Sequence, residues 1–179
     1  MSSIAAFFAS PGFRAGLYAG NALWHTSAFI HFGFLPQKMM RKLSTRVKKV
    51  DTIETPEGDA WHHDLMRYLG GINAGFVVLA ALRFLPLLTS SSISKQLSAR
   101  RGSLSVLSAD GDPAAARALD IVTLSALAAA NASQAALNFF WARPSGRWIV
   151  GHGFDRITVL DTVFTILDVT VVALRAAGW

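Results

Sequence analysis

The chain contains no cysteine, which excludes disulfide bonds, thiolate catalysis and metal sites built on cysteine ligands. Charged residues are also scarce: they make up 16% of the 179 residues, against about 25% in an average soluble domain. No acidic residue precedes Asp51. Gly-rich phosphate loops, nucleophile elbows and zinc-protease motifs are absent from the sequence, so it points to no familiar class of soluble enzyme.

Four apolar stretches are what the sequence does contain. Residues 15–37 and 121–142 carry no Asp, Glu, Lys or Arg, and residues 68–88 and 157–174 are nearly as apolar. Each is long enough, or almost long enough, to cross about 30 Å of hydrocarbon as a helix. We therefore expect an all-α fold, an integral membrane four-helix bundle with short loops. Residues 1–179 form one domain, with spans at about 13–35, 65–88, 114–141 and 154–175.

Basic residues lie mainly beside these spans and give the chain a net charge of +6. This position favours membrane lipids as partners and argues against nucleic acid. Ten Lys or Arg residues belong to the side holding the first and third loops, and six to the side holding the termini and the second loop. The positive-inside rule then predicts loops 1 and 3 inside and both termini outside. The acid-free start slightly favours an internal eukaryotic membrane, endoplasmic reticulum or mitochondrial inner membrane, and it fits a first transmembrane helix equally well.

Two GxxxG motifs, Gly16–Gly20 and Gly71–Gly75, predict close helix packing. We expect these motifs to pack against other helices of the same bundle. The alternative is that one of them forms a homodimer interface. Partnership with other membrane subunits is also expected.

Polar residues within the spans fall on single helix faces. Asp161, Thr165, Asp168 and Arg175 share one stripe of the fourth span. Charged groups in hydrocarbon should face inward and form pairs. Counting about 1.5 Å per residue from the loop 1 end, Arg83 and Asp168 reach a similar depth and are predicted to form a structural ion pair.

Asp161 lies at the depth of several hydrogen-bonding side chains, which leaves two interpretations open. The polar set either only fixes helix packing, or it lines a pocket for an apolar ligand such as a lipid, sterol, quinone or polyketide-like molecule. For the pocket, the acid–base candidates are Asp161, Asp168 and His25, because a desolvated carboxylate holds a proton near neutrality. The candidate lining residues are His31, Asn73, Asn131, Gln134 and Asn138.

No cofactor or metal is expected. His25 and His31 lie about 120° apart around one helix, so they do not offer a haem two ligands on one face. His62-His63-Asp64 would need further metal ligands, such as His152 or Glu57.

One segment resembles a known family. Arg67-Tyr68-Leu69-Gly70, followed by an apolar run ending Leu82-Arg83-Phe84, is similar to the second span of the small four-helix scaffold proteins of ergosterol biosynthesis. The match covers about 20 residues, and the spacing between the two arginines is longer here. The family's His and Glu in the third span are replaced around Asn131–Gln134. Other small four-span groups, the DoxX-like and anthrone-oxygenase-like proteins, resemble the chain in layout.

The sequence thus leaves two functions open, and whether the chain is an enzyme stays undecided. The resemblance and the lack of catalytic motifs favour a non-catalytic subunit or scaffold of a membrane complex. The inward polar set favours a small membrane enzyme or a protein that binds an apolar ligand.

Overall fold

A computed structural model describes residues 3–44, 58–89, 112–144 and 156–179, and every regular element in these ranges is a helix. The all-α prediction is therefore confirmed. The helices are α1 (Ser3–Ala9), α2 (Pro11–Phe34), α3 (Pro36–Ser44), α4 (Ala60–Thr89), α5 (Pro113–Leu137) and α6 (Arg156–Ala176). A π-helical turn, Asn138–Ala142, continues α5.

Capping residues explain where α2 and α5 begin. The side chain of Ser10 accepts a hydrogen bond of 3.2 Å from the backbone N–H of Phe13, and Pro11 takes the first turn of α2. At α5, Asp112 accepts from the N–H of Ala114 at 2.8 Å, and Pro113 follows it. A polar cap followed by proline is a strong helix start, because proline lacks the N–H that would stay unpaired there.

Helix α3 lies in the segment that the sequence marks only as a basic loop. It begins at Pro36, directly after α2 ends, and its Pro36 and Met39 are buried while Gln37, Lys38 and Arg41 are exposed. The apolar side of α3 therefore packs against the protein, where α3 contacts α2 and α4, and its basic side faces outward.

Three helices are long and apolar enough to cross a membrane: Ala60–Leu88, Pro113–Ala142 and Ile157–Ala176. Helix α2 has 24 residues, which is also long enough. Its polar residues leave it less apolar than the other three, so a fourth span is not established by length and composition.

The long helices pack chiefly as two pairs, α2 with α4 and α5 with α6, and α6 also contacts α1 and α2. Their apolar core contains Leu17, Tyr18, Ala80, Leu124, Leu127 and Val171. Two glycines allow the closest approaches. A Cβ on Gly70 would lie 2.6 Å from the backbone nitrogen of Gly33, and one on Gly20 would lie 2.9 Å from the ring of Phe164.

Candidate functional site: a ladder of buried polar groups

Helix α2 presents one polar stripe to the interior. Arg14, Tyr18, Asn21 and His25 follow each other at spacings of three or four residues and are all buried. Such spacing keeps side chains on one helix face. Each of these groups contacts polar residues of other helices. Together with those partners they form three successive levels along the packed helices, which we call the ladder.

The first level is the arginine–aspartate cluster, formed by Arg14, Tyr18, Arg83, Asp120 and Arg175. Asp120 of α5 is completely buried. Its Oδ1 accepts hydrogen bonds from Arg83 Nη2 at 2.8 Å and from the Tyr18 hydroxyl at 2.9 Å. Its Oδ2 is contacted by Arg14 and lies 3.3 Å from Arg175 Nε. One carboxylate therefore links four helices.

The second level is the asparagine–aspartate cluster, formed by Asn21, Asn131 and Asp168, each fully buried. Asn21 donates from Nδ2 to Oδ1 of Asp168 at 3.0 Å. Asn131 donates to the amide oxygen of Asn21 at 3.0 Å and reaches Oδ2 of Asp168 at 3.5 Å. These bonds connect α2, α5 and α6 without a buried cation.

The third level consists of two separate pairs. His25 Nδ1 lies 2.8 Å from the amide oxygen of Asn73, which joins α2 to α4. Trp24 donates from Nε1 to Oδ1 of Asp161 at 2.8 Å, which joins α2 to α6. Two atoms of this level, His25 Nε2 and Asp161 Oδ2, are buried and have no hydrogen-bond partner among the described residues. The same holds for the hydroxyl of Thr158, one turn before Asp161. These atoms are what remains available for a ligand or a proton.

The predicted pairing of Arg83 with Asp168 is corrected by these contacts. Arg83 bonds to Asp120, and Asp168 is bonded by two asparagines. The two residues do not lie at the same depth from the loop 1 end: Arg83 follows the first residue of α4 by 23 residues, and Asp168 follows the first residue of α6 by 12. Asp120, the actual partner of Arg83, lies one residue before the charge-free stretch 121–142 and so at the edge of the predicted apolar span.

The remaining candidates separate into inner and outer positions. Asn73 and Asn131 belong to the ladder, and Asn138 is buried in the π-helical turn. Gln134 is only partly buried. His31 is exposed and bonds to the backbone oxygen of Ser27 on its own helix at 2.7 Å. His31 therefore does not line the interior with His25.

The two histidines in the first turn of α4 bond to Asp59, the residue just before that helix. Asp59 accepts a hydrogen bond of 3.0 Å from the backbone N–H of His62, and its Oδ1 lies 2.7 Å from His62 Nδ1. These two hydrogen bonds lower the pKa of the Asp59 carboxyl below its usual range. Glu57 and His152, the further ligands that a metal would need, lie outside the described residues. Among those that are described, no group of three or more His, Asp or Glu side chains is arranged to hold a metal ion.

Asp120, Arg14, Tyr18 and Trp24 are the ladder residues that sequence reasoning missed. The order and direction of the helices is the information in the sequence that could have identified them. Helices of alternating direction bring the beginnings of α2 and α5 to the same end as the ends of α4 and α6. Arg14, Arg83, Asp120 and Arg175 all lie within two to three turns of that end.

Comparison of the chain with protein-family models, curated proteins and solved structures finds no match.

Proposed function

We propose that the chain is a four-span membrane protein that serves as a non-catalytic subunit or scaffold of a membrane complex. The observation that carries the proposal is that the candidate acid–base groups are used between helices. Asp168 and His25 are fully buried and bond to asparagines of other helices. Polar groups committed in this way fix helix packing, which is the usual role of Asn, Gln and His inside membranes.

The surface of α2 supports counting this helix as the fourth span. Its polar stripe faces the other helices, while Leu23, Ile30 and Phe34 are exposed. In a membrane these apolar side chains would face lipid, and the costly polar groups would remain inside the protein. The lower mean hydropathy of α2 is explained by this inward stripe.

The outer face of α4 supports a binding role. Tyr68, Ile72 and Val78 are exposed there, and no described atom lies within 4 Å of a Cβ built on Gly71 or Gly75. The Gly71–Gly75 motif is thus free to pack against another span, either of a partner subunit or of a second copy. Its resemblance to a scaffold family in the neighbouring segment points the same way.

Purification in mild detergent tests the proposal. The tagged protein should elute from a sizing column with other membrane proteins in fixed stoichiometry, or as a homodimer. Gly71→Ile with Gly75→Ile should release the partner without lowering the thermal midpoint, and Gly12→Ile, at another open glycine, should not. A lone monomer that turns over a substrate would overturn the scaffold role.

A second function is favoured by the unpartnered atoms of the third level, His25 Nε2 and Asp161 Oδ2. An apolar ligand with a hydroxyl or carbonyl head would satisfy them, and Asp161 would be the acid–base group of a small membrane enzyme. Mass spectrometry of extracted lipids tests this function. Asp161→Asn should lose a co-purifying ligand that Asp168→Asn keeps, because both oxygens of Asp168 already have partners.

A further inference from the structure

The arginine–aspartate cluster holds more positive charge than its carboxylate balances. Arg14 and Arg175 both contact Oδ2 of Asp120, while Oδ1 already accepts from Arg83 and Tyr18. Arg117, one turn before Asp120 on α5, lies close enough for its charge to act on Arg175, as does Arg14. Two guanidinium groups therefore share one carboxylate oxygen. The third, that of Arg117, lies at the end of α6, with its Nη1 3.8 Å from a Cβ built on Gly178.

Several donors of these arginines are buried and unused. The Nε atoms of Arg14, Arg117 and Arg175 have no hydrogen-bond partner within the described part of the chain, and Arg14 as a whole is more than nine-tenths buried. Arg175 donates from Nη1 to the Trp179 backbone oxygen at 2.6 Å. Its Nε lies 3.3 Å from Oδ2 of Asp120, an ion-pair contact that does not have the geometry of a hydrogen bond. Buried cations without a matching anion are strongly unfavourable.

The backbone adds to the same potential. Arg14 lies in the first turn of α2 and Arg117 in the second turn of α5. The N-terminus of a helix carries partial positive charge and binds anions. The arginines and the two helix starts therefore attract the same kind of ligand.

We propose that Arg14, Arg117 and Arg175 bind one anion of the phosphate class, which in the membrane is the headgroup of an anionic lipid. Guanidinium forks match phosphate oxygens with two parallel hydrogen bonds. Arg117 is only partly buried, and Arg175 keeps 12% of its side chain exposed. These two residues provide the edge through which a headgroup reaches the buried donors.

Native mass spectrometry of the full chain in detergent tests the site. The added probes are phosphatidic acid, phosphatidylcholine and inorganic phosphate. We expect retention of one phosphatidic acid per chain and much less phosphatidylcholine. Arg117→Gln and Arg175→Gln should each weaken phosphatidic acid binding roughly tenfold, because each removes a charge-assisted hydrogen bond. Arg67→Gln is the matched control, since Arg67 is exposed and pairs with Asp64.

Each outcome decides the proposal. If inorganic phosphate stabilises the protein, phosphatidic acid does not bind, and Arg117→Gln abolishes the effect of phosphate, the site binds a soluble anion. Binding of phosphatidic acid supports the lipid headgroup as the ligand. Equal binding of phosphatidic acid by the wild type, Arg117→Gln and Arg175→Gln overturns the site. So does equal retention of the anionic and zwitterionic lipids by the wild type, a result that does not depend on whether any variant folds.

Discussion

Arg83 donates from Nη2 to Oδ1 of Asp120 at 2.8 Å, while Arg14 contacts the other oxygen of the same carboxylate from α2. Arg175 of α6 approaches that second oxygen as well. The consequence is an asymmetry between the partners. Loss of one arginine leaves Asp120 compensated, whereas loss of Asp120 leaves several buried guanidinium groups without their shared anion.

We expect Asp120→Asn to be more destabilising than Arg83→Gln. Removing one partner of a buried ion pair costs about 3–5 kcal/mol, and Asp120 is the shared partner. The free energies of unfolding in detergent, monitored through the loss of the α-helical circular dichroism signal, measure the difference. Asp64→Asn is the control, because Asp64 and Arg67 form an exposed pair that contributes about 0–1 kcal/mol. If Asp120→Asn were no worse than Asp64→Asn, the central role of Asp120 would be wrong.

Double-mutant cycles should couple Arg83 to Asp120 and not to Asp168. Arg83→Leu combined with Asp120→Leu is expected to depart from the sum of the single effects by about 0.5–3 kcal/mol, as contacting residues do. Arg83→Leu combined with Asp168→Leu should be additive, since Arg83 bonds to Asp120 while Asp168 is bonded by Asn21 and Asn131. Additivity in the first cycle, or strong coupling in the second, would restore the pairing expected from helix depth.

The helices themselves were largely predictable, because apolar length, capping residues and proline act locally. Asp112-Pro113 predicts the start of α5, and Pro36 predicts the end of α2. Helix α3 was not predicted, since its short amphipathic pattern lies within a run of basic residues. The inward stripe of α6 was also predictable from spacing alone.

Partner choice within the ladder was not predictable from spacing. The stripe containing Asp168 is visible in the sequence, but which residue of another helix meets it depends on axial offset and on side-chain length. An offset of two turns separates Asp168 from Arg175 on α6, and only the latter reaches Asp120. The Gly71–Gly75 motif does not mark the close contact of its helix for a similar reason, whereas Gly20 of the first motif does pack closely, against Phe164. Gly70, one residue outside its motif, makes the close approach, and Gly71 makes none.

Gly70→Ala should therefore destabilise the protein, while the adjacent Gly71→Ala should not. A Cβ on Gly70 would lie 2.6 Å from the nitrogen and 2.8 Å from the Cα of Gly33. Backbone atoms cannot rotate away, so we expect a loss of about 1–3 kcal/mol from overpacking. At Gly71, alanine meets no described atom within 4 Å and improves helix propensity by up to about 1 kcal/mol. Thermal midpoints of the two variants in detergent compare them directly, and equal midpoints would contradict the Gly33–Gly70 contact.

The start of α4 should fray at acid pH. The hydrogen bonds from His62 lower the pKa of Asp59, so the ionised carboxylate favours the helical start. This contribution is present above the unfolded pKa of Asp59 and is lost as pH falls through its lower folded pKa. Amide hydrogen exchange at residues 60–63, compared between pH 6 and about pH 3, should report the change. Asp59→Asn keeps a cap acceptor and cannot titrate, so its exchange should lack this step. If Asp59→Asn showed the same increase in exchange at acid pH as the wild type, a group other than Asp59 would cause the fraying.

Single-cysteine labelling should reveal both the orientation and the number of spans, because the chain has no cysteine of its own. Loop 1 is predicted inside by its basic residues. Six basic residues are assigned to the opposite side, and three of them belong to the proposed anion site: Arg14, Arg117 and Arg175. Without these three, the excess of positive charge on the loop 1 side is larger.

Gln37→Cys, at an exposed and uncharged position of α3, should resist an impermeant maleimide applied to the outside. Ser92→Cys, in the second loop, should react. Ser3→Cys tests whether α2 is a fourth span. If α2 crosses the membrane, Ser3→Cys should react from the outside, as Ser92→Cys does. If α2 stays on one side, Ser3→Cys should be protected, as Gln37→Cys is. Labelling of all three after permeabilisation is the control. Outside labelling of Gln37→Cys would reverse the predicted orientation, and joint protection of Ser3→Cys and Gln37→Cys would reduce the spans to three.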